Sequence, residues 1–105
     1  MIVVMSRLRL KRGMEKHFEE RFAQRARLAD KAEGFISLDV LRGEEKGEYV
    51  VMSRWRSRED FEAWLQSPAF DSAHSGTPSS LAEKRPEVEI YEVVEISAGS
   101  EEDKP

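Results

Sequence analysis

The chain contains no cysteine. A disulfide frame, a thiolate nucleophile and a cysteine metal site are therefore excluded. It has no apolar run approaching membrane-spanning length. The opening Met1-Ile-Val-Val-Met-Ser6 is too short for a signal h-region and passes into alternating polar residues. The cytoplasm is the expected location, with no membrane partner. A basic stripe is also missing. Net charge is −4, and Arg and Lys alternate with Glu and Asp along the expected helices. That is the pattern of a solvated face, not of a nucleic-acid surface. No glycine-rich phosphate loop, Ser-His-Asp order or nucleotide fingerprint occurs. Two histidines, His17 and His74, with no motif linking them, do not make a zinc site.

What remains is a chain of 105 residues, 39% apolar and 36% charged. That suffices for one domain with a small core under a charged surface, and a domain of this size gains from an added interface. Ile2, Val4, Ser6, Leu8 and Leu10 share one face of a period-two strand, with Val3, Met5, Arg7 and Arg9 on the other. Gly13 ends it. Met14, Phe18, Phe22, Ala26 and Ala29 then form the apolar stripe of an amphipathic helix. Gly34 precedes a second strand, Phe35–Leu41. Gly43–Gly47 is a polar turn, and Glu48–Trp55 a third strand. Ser57-Arg-Glu-Asp60 reads as a capping box opening a second helix, with Phe61, Trp64 and Leu65 on its apolar face. Ser67-Pro68 stops that helix and starts a short one carrying Phe70, Ala73 and His74. Residues 75–86 read as a polar loop, Val88–Ile96 as a fourth strand, and 97–105 as a disordered acidic tail.

The order β-α-β-β-α-β predicts an α+β, ferredoxin-like domain over residues 1–96, with a four-stranded antiparallel sheet and both helices on one face. Val3, Met5, Val50, Met52, Tyr91 and Val93 fall on the opposite face. A second copy of the chain is the simplest cover for them, so a homodimer is expected.

Few side chains suggest chemistry. Ser6 is a polar residue in the helix-facing row of strand one. It either bonds locally while making room for a helix or lines a cavity. Trp64, on the core face of the second helix, reads as packing when taken alone. Trp55 reads the same way and is given no functional role. His74 near a helix end is a surface residue or, as neutral imidazole, a ligand for haem iron or another metal. His17 reads as solvated.

Taken together, several segments resemble the antibiotic-biosynthesis-monooxygenase superfamily, and within it the bacterial haem-degrading monooxygenases. They are Arg21-Phe-Ala-Gln-Arg25, Glu33-Gly-Phe35, Trp55-Arg-Ser-Arg-Glu-Asp-Phe-Glu-Ala-Trp64, Ser67-Pro-Ala-Phe-Asp-Ser-Ala-His74 and Glu92-Val-Val94. The resemblance covers about residues 2–96. It implies a dimer whose two sheets form an α+β barrel, with a substrate held between helices and sheet in each protomer. The family pattern for haem degradation is an Asn on strand one, a Trp in helix two and an axial His on the short following helix. Trp64 and His74 match that pattern, and Ser6 stands where the family has Asn. On this resemblance His74 is the iron ligand, Phe22 and Phe70 are pocket walls, and Arg25 either meets the haem propionates or is a solvated helix residue. Trp64 presses on the macrocycle, and the Ser6 hydroxyl replaces the Asn amide. Haem would be substrate and cofactor together, with an external electron donor. The superfamily also implies two alternatives: a cofactor-free monooxygenase acting on a small aromatic or quinol, and a non-catalytic dimeric haem-binding protein.

Overall fold

The computed structural model describes residues 1–70 and 86–99, apart from the side chains of residues 24–27. The alternating and four-spaced patterns become β1 (Ile2–Arg9), α1 (Glu15–Ala29), β2 (Phe35–Arg42), β3 (Glu48–Trp55), α2 (Arg58–Leu65) and β4 (Glu87–Glu92). Every neighbouring pair in the sheet order β2-β3-β1-β4 is antiparallel. This is the expected ferredoxin-like arrangement. Gly13 stands at the β1/α1 junction and Gly34 at the α1/β2 junction, with φ of 83° and 81°, a left-handed conformation that side chains resist.

The register places Ile2, Val4, Ser6 and Leu8 beside Trp55, Ser53, Val51 and Tyr49. Those residues form the row that meets the helices. Two core clusters fill it. Ile2, Val4, Trp55 and Phe61 make one, against which Ala32, Phe35, Trp64 and Ile90 pack. Leu10, Phe18, Tyr49 and Val51 make the other, joined by Leu8, Met14, Phe22 and Leu38. Trp55 is fully buried, as its packing reading required, and its indole N–H donates to the buried Ser53 hydroxyl at 3.0 Å. That bond satisfies two polar groups that burial would otherwise penalise.

Two details differ from the periodic reading. In β2 the ladder slips between Phe35 and Ser37, so that Phe35 and then Leu38 and Val40 oppose the core row of β3. A bulge changes the phase of a strand by one residue, which unbroken alternation cannot announce. The fourth strand ends at Glu92 rather than Ile96. The Val93 N–H still bonds Met1 O at 2.9 Å, but Val94 is 93% exposed. The apolar alternation of Val94 and Ile96 therefore continues past the last paired residue.

At the second helix, the Ser57 hydroxyl accepts from the Asp60 N–H at 3.1 Å, the expected half of the capping box. The Asp60 carboxylate lies 3.5 Å from Arg56 Nε.

The outer sheet face carries Val3, Met5, Val50 and Met52, all half-exposed, with exposed Leu41 and Tyr91 beside them. Met5 lies directly across from Met52. Arg7, Glu89 and Tyr91 form a chain of bonds on the same face, with Arg7 Nε 2.7 Å and Tyr91 Oη 2.8 Å from the two Glu89 oxygens. Among the described residues no helix covers this face. None of their helices is long and apolar enough to cross a membrane.

Candidate functional site

The two core clusters do not meet along β1. Ser6 stands between them, and its cross-strand neighbours are Val51 on one side and Val88 on the other. Ser6 is half-buried although it faces the helices, and Val88 is 58% exposed. A core-facing position that keeps contact with solvent lines a space rather than filling one.

Three aromatic side chains extend the two core clusters. Phe22, on α1, packs against Phe18 with ring centroids 5.3 Å apart. Trp64, on α2, leans on Trp55 at 6.2 Å. Phe70 meets Trp64 edge to face, at 5.8 Å and 85°. All three are half-buried. These rings leave part-exposed aromatic surface on the helix side of the sheet.

The wall formed by Trp64 and Phe70 is built at a tight joint. The Ser67 hydroxyl donates to the Trp64 carbonyl at 2.7 Å and accepts from the Phe70 N–H at 3.1 Å. Residues 68–70 are helical, with Pro68 as the first of them, as its fixed φ favours. Sequence reasoning marked Ser67-Pro68 as the end of one helix and the start of a short one, with no role for the Ser67 hydroxyl. The Ser-Pro-x-Phe spacing, a hydroxyl three residues before a backbone donor, was the available signal.

On the other side, α1 is fastened to the sheet by a cluster that the sequence did not suggest. Arg42, on β2, holds Glu19 with a bidentate pair at 2.7 and 2.9 Å. The hydroxyl of Tyr49, on β3, donates to the same carboxylate. The Tyr49 ring is buried against Phe18, centroids 4.9 Å apart, while its hydroxyl reaches outward. The hydrogen bonds from Tyr49 and Arg42 lower the Glu19 pKa, whereas burial raises that of Tyr49. A carboxylate with a depressed folded pKa stabilises the fold above its unfolded pKa, and that contribution is lost as pH falls through the folded value. Glu19→Gln is expected to lower the melting temperature at neutral pH, with the gap to wild type closing in acid below the ordinary glutamate range. Equal melting temperatures at neutral pH would show that the cluster does not fasten α1.

Of the residues expected at the site, Ser6, Phe22, Trp64 and Phe70 lie among the described residues, and of these Trp64 and Phe70 are in contact. Arg25 lies on α1 with its side chain outside the described residues. His74 lies outside them altogether, as do Ala73, most of the 75–86 loop and the end of the tail. His17 is exposed on α1, as expected. Among the described residues no cluster of His, Asp and Glu could hold a metal ion.

The family model for antibiotic biosynthesis monooxygenase matches residues 1–76. The chain belongs to this family. Among curated relatives, a mycobilin-producing heme oxygenase of Mycobacterium tuberculosis is 36% identical over 78 residues, 71% of each chain. The structure of the heme-degrader MhuD from the same organism, with two hemes in its active site, superposes with a TM-score of 0.75. It is 29% identical and covers 94% of this chain and 100% of that one. The cofactor-independent oxygenase SnoaB of Streptomyces nogalater shares the fold at a TM-score of 0.77 and 22% identity, covering 90% of this chain and 94% of its own.

Proposed function

We propose that this protein is a haem-degrading monooxygenase that takes haem edge-on into a slot between sheet and helices. The observation that carries the reading is the split core. A half-buried Ser6 stands between two clusters in an otherwise apolar β1 row, with half-buried Phe22 packed on one cluster and Trp64 on the other, in a chain 36% identical to a heme oxygenase. Bound haem would supply an iron centre at which dioxygen, reduced with electrons from an external donor, oxidises the haem's own ring. Phe22 and Phe70 are the apolar walls, and Trp64 presses on the macrocycle face. His74, four residues beyond Phe70, is the iron ligand, and Arg25 on α1 is the cation for a propionate. The Ser6 hydroxyl is the one polar group on the slot floor, able to donate or to accept through a water.

The functional unit of this proposal is a homodimer of residues 1–96, with 97–105 as a dispensable tail. The half-exposed row Val3, Met5, Val50 and Met52 supports it, because each Å² of apolar surface left in water costs about 25 cal/mol. A second reading rests on Ser6. A short hydroxyl in place of an amide suits a cofactor-free oxygenase on a small aromatic or quinol, or a haem-binding protein without turnover.

One titration separates these. Hemin added to the protein is expected to develop a shifted Soret band that saturates at a fixed stoichiometry. Ascorbate or a reductase is then expected to bleach it. A saturating band that survives the reductant would leave a binding protein, and no band at all would leave the cofactor-free oxygenase.

A further inference from the structure

We infer that Ser67 is a positioning residue that sets the angle between Trp64 and Phe70, and so shapes the slot for a planar macrocycle. This rests on the slot being the ligand site. The Ser67 hydroxyl bonds at once to the backbone of both aromatic residues, donating to Trp64 O at 2.7 Å and accepting from the Phe70 N–H at 3.1 Å. Backbone bonds close the same joint: Ser67 N–H to Trp64 O at 3.0 Å, and Phe70 N–H to Ser67 O at 3.1 Å. Two residues at either side of the joint then present their rings at 85°. Pro68, with φ held by its ring, leaves little freedom for the turn to relax if the hydroxyl is removed.

An ordinary N-cap stabilises a helix and does no more. Ser67 differs because one of its two partners is the terminal turn of the preceding helix. Losing the hydroxyl leaves the joint held by its two backbone bonds alone, Ser67 N–H to Trp64 O and Phe70 N–H to Ser67 O, with the two rings on opposite sides of it.

The test compares wild type, Ser67→Ala and Ser67→Thr. Two probes are used. The near-UV circular dichroism of the ligand-free protein reports the asymmetry around Trp64 and needs no ligand. Zinc protoporphyrin IX, planar and fluorescent but without redox chemistry, reports slot shape through its affinity. Ser67→Ala is expected to weaken the near-UV signal and to lower porphyrin affinity about five- to tenfold, as the loss of one or two hydrogen bonds would. Ser67→Thr, which keeps the hydroxyl, is expected to restore both. If Ser67→Ala lowers only the melting temperature, with near-UV spectrum and affinity unchanged, Ser67 is a helix cap and the inference fails. If the near-UV signal falls and Thr restores it but wild type binds no porphyrin, Ser67 positions the rings and the haem reading is what fails.

Discussion

Hemin added to a His74→Ala variant is expected to give no imidazole-ligated spectrum, with affinity reduced at least tenfold, about 1.4 kcal/mol or more. The fold and the dimer should persist. The chain offers few substitutes for this ligand. It has no cysteine, and its other histidine, His17, is exposed on α1. His17 belongs to the turn that also carries Phe18 and Glu19, whose side chains are held against Tyr49. Moving His17 to the slot would mean rotating α1 away from that cluster. His17→Ala is therefore expected to bind hemin like wild type. An unchanged spectrum in His74→Ala would overturn the assignment of the iron ligand, and with it the strongest link between this slot and haem.

A single charge on the outer sheet face should be nearly as disruptive. Met52 sits in the central part of that face, opposite Met5 on β1 and Asp39 on β2. It is half-exposed and points away from both core clusters. In a dimer closed over this face a lysine there would bring an unpaired ammonium into the interface, costing several kcal/mol. Sedimentation velocity at micromolar concentration is expected to show wild type as a dimer and Met52→Lys as monomer or aggregate. The variant's far-UV circular dichroism should stay native, because Met52 supports neither helix. A monomeric wild type would defeat the proposal; a variant that stays dimeric would move the interface elsewhere.

The bonds on the same face bear on that outcome. Arg7 and Tyr91 both bond Glu89, and the Arg7 and Tyr91 hydrogen bonds lower the Glu89 pKa. The face therefore offers a satisfied ionic pair beside its apolar strip, and closing it would not leave Glu89 unpaired.

The faces of Ser6, Phe22 and Trp64 were legible because two regular periods locate them, while their grouping as a site came from the family resemblance. Alternation along β1 assigns Ser6 to the helix side. The four-residue spacing from Met14 places Phe22 on the inner stripe of α1, and the capped start at Ser57 does the same for Trp64. The element order and the antiparallel sheet follow from the same periods, with glycines at the junctions. These are properties of a chain segment and its nearest neighbours, so one sequence carries them.

Tertiary structure alone decided the rest. Whether Ser6 packs or lines a space depends on where two separate clusters stop, which is set by side chains from four strands and two helices. Glu19, Arg42 and Tyr49 lie on three elements, and they meet only because the β2 bulge shifts Arg42 into line with Tyr49. The end of β4 at Glu92 is a matter of partners, since Val94 and Ile96 keep the strand pattern without a neighbour to pair with. Periodicity states which face a residue turns to. Only packing states what, if anything, is there to meet it.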